Sequence, residues 1–90
     1  MKVAKMLIID GLVHGVLFRA SMARLASQHG VRGWVKNLAD GSVQAHLEGE
    51  PYDVALLVEW ARRGPPRARV DSVIVREAAV RRHHDFKIEG

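Results

Sequence analysis

An arginine that follows a glycine-spaced loop and opens a helical segment is equipped to hold an oxyanion. The stretch Gly11-Leu12-Val13-His14-Gly15-Val16-Leu17-Phe18-Arg19 has that form. Gly11 and Gly15 free the backbone between them from some of the limits that Cβ imposes, so successive N–H groups can turn toward a common point that attracts anions. The segment that follows, Ala20 to Gln28, reads as a helix with no Ser, Thr, Asp or Asn immediately before it to occupy its first-turn N–H groups. Arg19 stands at that start, and its always-charged fork can take two phosphate oxygens at once. Loop, helix N-terminus and arginine make a candidate oxyanion cradle. An ordinary strand-to-helix turn with a solvated arginine has the same spacing, so the rest of the chain has to decide between them.

A second candidate is Asn37, at the end of Gly33-Trp34-Val35-Lys36-Asn37 and just before the turn Leu38-Ala39-Asp40-Gly41. Asparagine beside a turn commonly hydrogen-bonds its own backbone. Its carboxamide has a chemical use only if the fold carries it to the cradle. His83-His84 are two imidazoles in sequence, but adjacent side chains in an Arg-rich loop lack ligand geometry and further partners, and no metal site is expected there. Arg62, Arg63, Arg67 and Arg69 read as a solvated basic patch, and Trp34 and Trp60 as packing residues.

The elements that must position these groups follow from periodicity. Lys5 to Ile9 is an apolar run suited to a central strand ending at Gly11. Phe18, Met22, Leu25, Ala26 and His29 lie on one helical face, and Gly30 closes that helix. Val31 to Asn37 and Ser42 to Gly49 form a hairpin, with Val43, Ala45 and Leu47 inward and Gln44, His46 and Glu48 on a wet outer face. Pro51 opens a second helix whose stripe is Val54, Leu57, Val58 and Ala61, and Gly64-Pro65-Pro66 ends it. Val70 to Glu77 is a further strand, Ala78 to Asp85 a loop, and Phe86-Lys87-Ile88 a short last strand. This order defines an α+β fold: a ferredoxin-like two-layer sandwich, βαββαβ, with an antiparallel sheet and a short fifth edge strand. Residues 1–90 are expected to be one domain.

Composition bounds the function classes. Apolar residues make up 48% and charged residues 27% of the chain, as in a globular domain rather than a disordered one. No apolar run is long enough to span a bilayer and no secretory pattern is recognisable, so a cytoplasmic location and no membrane partner are expected. The absence of cysteine excludes disulfides, thiolate metal sites and a cysteine nucleophile. Fourteen Lys and Arg against ten Asp and Glu give a net charge of +4, which favours anionic partners, phosphorylated metabolites and nucleic acid alike.

Topology then brings the two candidates together. In a split βαβ sheet the first two strands run the same way with the third between them, so both finish at one end of the sheet. Arg19 follows the first strand and Asn37 ends the second. Two strand spacings separate them by about 10 Å, a gap that an arginine side chain and a phosphate can fill together.

At this point two segments jointly resemble the acylphosphatase family. Ile9 to Arg19 is similar to its phosphate-loop signature, and Gly33 to Asn37, with Gly41, Val43 and Gly49 at the later spacings, is similar to its second motif. Element order, Gly64-Pro65-Pro66 and Phe86-Lys87-Ile88 extend the resemblance over essentially the whole chain. It implies that Arg19 binds phosphate together with the backbone amides of His14, Gly15, Val16, Leu17, Phe18 and Arg19, and that Asn37 holds the attacking water. The implied reaction is hydrolysis of the carboxyl-phosphate bond of small acyl phosphates, with no metal and no cofactor, by a monomer for which inorganic phosphate is product or competitive ligand. A leaving carboxylate needs little or no protonation, so positioning and charge stabilisation suffice.

Three positions depart from the common family pattern: His14 stands where Gln is usual, Leu12 where a basic residue is frequent, and Leu17 where Gly often occurs. A positive φ at position 17 would strain a leucine, with consequences for rate rather than identity. Two other classes share parts of the sequence signal. A binding module could use the same cradle without turnover. An RNA-binding domain could use the same fold and charge, but Val43, Ala45, Leu47 and the polar face of that strand offer no paired aromatics for base stacking, and no nucleic-acid partner is expected.

Overall fold

Strand alternation and helical periodicity resolve into seven elements in the computed structural model, which describes residues 1–90. They are β1 (Val3–Leu12), α1 (Phe18–Gln28), β2 (Arg32–Asn37), β3 (Val43–Gly49), α2 (Pro51–Ala61), β4 (Arg69–Ala78) and β5 (Phe86–Glu89). One sheet holds all five strands in the order β4-β1-β3-β2-β5. The pairs β1–β3, β1–β4 and β2–β3 are antiparallel, so β1 and β2 run the same way with β3 between them. The fifth strand adds to β2 in parallel, which makes the expected antiparallel sheet mixed at that edge. With α1 over β2 and β5 and α2 over β1, β3 and β4, the architecture is the ferredoxin-like two-layer sandwich. Neither helix is long and apolar enough to cross a membrane.

The core lies between sheet and helices. Leu7, Ile9, Val35, Val43, Ala45 and Leu47 meet Phe18, Met22 and Ala26 of α1 and Val54, Leu57 and Ala61 of α2, all buried. The Phe18 ring lies 5.2 Å from that of Trp60, tilted by 52°. Burying such a side chain stabilises the fold by about 1.5–3 kcal/mol. Because Phe18 opens α1, that burial also fixes where the next residue, Arg19, begins. The helix closes as its sequence indicates, with Gly30 at φ +68° and the Val31 N–H donating to the Ala26 carbonyl at 2.9 Å.

One sequence expectation fails. His46 and Glu48 are not on a wet face: their side chains are only 4% and 5% exposed. The cause is the position of β5. Since β4 and β5 occupy opposite edges of the sheet, residues 79–85 must cross four strand spacings, about 19 Å, and they do so over the face away from the helices. The crossing strap is pinned there by N–H groups of Arg81, Arg82 and His83, which donate to the Glu48 carboxylate at 3.0, 3.1 and 3.1 Å. The Gly33 N–H donates to the Asp85 carbonyl at 2.9 Å. Trp34 stacks on His46 at 6.1 Å, beneath Lys36.

Burial lowers the His46 pKa from the ordinary 6.5, against the opposing pull of Glu48. For Glu48 burial works against the charge, but the three N–H donors of the strap outweigh it and the net direction is also down from 4.5. The unfolded chain therefore takes up protons that the folded chain refuses. Stability is lost first as pH falls below 6.5, through His46, and again below 4.5, as Glu48 is forced to protonate. Urea denaturation in EDTA is expected to show a midpoint that drops from pH 7.5 to pH 5, and His46→Gln, neutral throughout, is expected to flatten that slope. An equal slope in the variant would refute the assignment to His46.

Candidate active site

The cradle is built by a strand that bends, a loop that turns twice and a helix that starts without a cap. At Gly11 β1 shifts register against β4. A Cβ there would sit 2.0 Å from the Arg69 carbonyl oxygen, so only glycine allows the strand to bend at this point. Val13 to Leu17 then form the loop, with left-handed backbone at Gly15 (φ +70°) and again at Leu17 (φ +66°) but not at Val16 between them. Such alternation curls successive N–H groups toward one concavity. Leu17 is itself the residue preceding α1, and no side chain caps the helix.

Main-chain hydrogen bonding in the chain leaves the N–H groups of Gly15 through Ala20 without a donor role, the first return bond being from Ser21 to the Leu17 carbonyl at 3.0 Å. Six consecutive donors are thus left free along the loop, three of them in the first turn of α1 and supported by its dipole. Beside it lies a pocket of about 250 Å³ lined by Val13, Gly15, Leu17, Phe18, Arg19, Ala20 and Ile88. The positive φ at Leu17 stores strain, because a Cβ in the left-handed region costs about 1–2 kcal/mol. Its side chain points outward, 75% exposed, so the residue supplies backbone shape and little packing.

Two contacts tie the cradle to the end of β2. Arg19 Nη1 donates to the main-chain oxygen of Gly90 at 3.2 Å, and Gly90, just past β5, lies against Lys36 and the Asn37 carbonyl. From the other side His14 Nε2–H donates to the Ser42 carbonyl at 2.8 Å, an oxygen that also accepts from the Leu38 N–H at 2.9 Å. His14 therefore braces the β2–β3 turn that carries Asn37. Asp40 shapes the same turn by accepting from the Ser42 hydroxyl at 2.6 Å and the Ser42 N–H at 2.9 Å. These bonds, the hydroxyl first, hold its carboxyl below the usual range. The carboxamide oxygen of Asn37 is buried and has no hydrogen-bond partner.

Each candidate from the sequence is thus placed. Gly15, Val16, Leu17, Phe18 and Arg19 lie in the run of free amides, His14 precedes it with its ring on the Ser42 carbonyl, and Asn37 ends β2 at the same end of the sheet. The helix begins at Phe18 rather than Ala20, so the Phe18 and Arg19 amides belong to its first turn. The bridging role of Gly90 escaped the sequence reading, which placed the turn at Leu38-Ala39-Asp40-Gly41 but not the Asp40–Ser42 bonds that hold it. The Asp-x-Ser spacing was the available signal for that turn.

A curled run of free amides, an arginine and an unsatisfied carboxamide at one end of a split βαβ sheet define a small phosphate-handling protein of the ferredoxin-like class. The family model described as Acylphosphatase matches residues 5–88, and the chain belongs to the acylphosphatase family. An acylphosphatase of Methylococcus capsulatus is 52% identical over 73 residues, covering 81% of this chain and 79% of that one. One from Geobacter metallireducens is 47% identical over 85 residues, covering 94% and 91%. The structure of an acylphosphatase from Coxiella burnetii aligns with a TM-score of 0.94 at 35% identity, covering 98% of this chain and 93% of that one. The chain is accordingly a hydrolase whose activity is that of an acylphosphatase, acting on small acyl phosphates.

Proposed function

We propose that the backbone amides of residues 14–19 and the Arg19 guanidinium hold the phosphoryl group, and that Asn37 holds the water that attacks it. The observation that carries this reading is the run of free amides from Gly15 to Ala20 beside Arg19, with Asn37 ending β2 at the same end of the sheet. The Asn37 carboxamide, turned toward the loop, takes a hydrogen bond from water and turns a water lone pair toward phosphorus. The new P–O bond forms on the face opposite the acyl oxygen. The P–O bond to that oxygen breaks, and its electron pair leaves as carboxylate. A phosphate oxygen accepts the proton of the water, and inorganic phosphate remains in the cradle as product and competitive ligand. Charge on the equatorial oxygens is met by preformed donors, which is where phosphoryl transfer gains most.

In this reading the reaction uses no metal, residues 1–90 act as one domain and as a monomer, and the setting is cytoplasmic. Nucleic acid is not a partner: the face that would stack bases carries Trp34, already covered by Lys36 and packed against His46. The test is phosphate release from a simple aryl acyl phosphate in excess EDTA. Turnover is expected to be undiminished by the chelator; a loss restored by adding back a divalent cation would overturn the metal-free mechanism.

A further inference from the structure

On the face of the sheet away from the helices, three side chains of metal-ligand type converge. His46 and Glu48 come from β3 and His83 from the crossing strap, and one ligand atom from each lies within 4.8 Å of the others. Glu48 Oε1 stands 3.5 Å from His46 Nε2 and 3.7 Å from His83 Nε2. In a tetrahedral zinc site with arms of about 2.0–2.1 Å, ligand atoms stand about 3.3–3.4 Å apart. Those two edges therefore need to close by only tenths of an ångström, and the edge between the two imidazoles, within 4.8 Å, by at most about 1.4 Å. As hydrogen bonds the same distances are too long.

The details of each group favour a ligand over a packing role. The His46 side chain is 4% exposed, yet its Nε2 has no hydrogen-bond partner. Buried polar atoms are nearly always satisfied, and this one points at a carboxylate. Glu48 Oε2 is fully used by the N–H groups of Arg81 and Arg82, whereas Oε1 accepts only the His83 N–H. One Oε1 lone pair thus remains on the side of the two imidazoles, and the strap amides fix its direction as second-sphere groups do in metal sites.

The geometry points to His46, Glu48 and His83 as a binding site for a divalent transition-metal ion of zinc type. Two imidazoles and one carboxylate suit such an ion better than Mg²⁺ or Ca²⁺, which prefer oxygen ligands throughout. Glu48 and His83 also line a pocket of about 300 Å³ together with Lys2, Arg32 and Arg82. The remaining coordination position would open toward that pocket, where the cationic side chains favour a small anion or hydroxide as fourth ligand. The same cations oppose the metal charge, so the affinity is moderate. The site is separate from the cradle, which lies at the Val43 end of β3, and its effect is to clamp the strap between β4 and β5 onto the sheet.

The experiment is calorimetric titration of the chelator-stripped full chain with Zn²⁺, and with Co²⁺ for its absorption spectrum. Saturable one-to-one binding, the intense visible bands of tetrahedral Co²⁺ and a Zn²⁺-dependent rise in Tm are expected. His83→Ala, a change on the strap outside the core, is expected to weaken binding by about tenfold or more and to remove the Co²⁺ bands. His84→Ala is expected to change neither, and Mg²⁺ to give no signal. Absence of saturable binding would overturn the proposal. So would one-to-one binding undiminished in both His83→Ala and His46→Gln, since the metal would then sit on other histidines.

Discussion

Arg19→Ala loses phosphate binding and turnover together, with kcat/KM for an acyl phosphate falling by about 10³-fold or more. The estimate rests on what one preformed donor to a developing oxyanion is worth, about 10²–10³ in rate, raised here because the guanidinium brings a full charge and two donors in a fork. In the proposed role those contacts reach phosphate in the substrate, the transition state and the product alike. Hence Ki for inorganic phosphate rises along with the loss in kcat/KM, and Arg19→Lys, which keeps the charge and loses the fork, recovers only part of either. Steady-state kinetics with phosphate as competitor decides the matter. An unchanged Ki in Arg19→Ala would remove Arg19 from the phosphate site.

Asn37→Ala separates the two functions. Its carboxamide makes no hydrogen bond within the protein, and its oxygen is buried without a partner, so truncation deletes no stabilising bond and the variant folds with stability close to that of the parent. Removing the acceptor leaves the attacking water unaligned, and misplacement of a reacting group by about 1 Å is worth about 10²-fold in rate. The expected result is kcat lower by about 10²-fold or more with Ki for phosphate within about twofold of the parent. A fall in phosphate affinity equal to the fall in rate would show that Asn37 binds phosphate instead of directing water.

Much of this arrangement was legible because it depends on short-range rules. Gly11 and Gly15 announced the loop, the missing cap before α1 announced free amides, and the parallel relation of β1 and β2 placed Arg19 and Asn37 at one end. The strained position was legible only through the family resemblance, in which Gly often stands where this chain has Leu17, and the φ of Leu17 is +66°. What stayed hidden depends on contacts far apart in sequence. Strict alternation put His46 and Glu48 in water, and nothing within β3 signals that residues 79–85 cross above them. That crossing follows from β5 pairing beside β2, a choice of sheet edge that a four-residue strand does not declare. The His14 to Ser42 bond was equally unreadable, because it depends on how the cradle and the β2–β3 turn face one another.

The bond between Arg19 and Gly90 links the cradle to a short edge of the sheet. β5 is four residues long, paired on one side only and largely exposed beyond Phe86. Short edge strands open by local fluctuation at free energies well below that of global unfolding, and their amides exchange hydrogen early. Each such opening releases the arginine from its main-chain anchor while the core of α1, α2, β1 and β3 stays folded. With Arg19 in its proposed role, mild denaturant is therefore expected to lower activity before it disturbs the core, and a single midpoint for activity and core unfolding would refute this link.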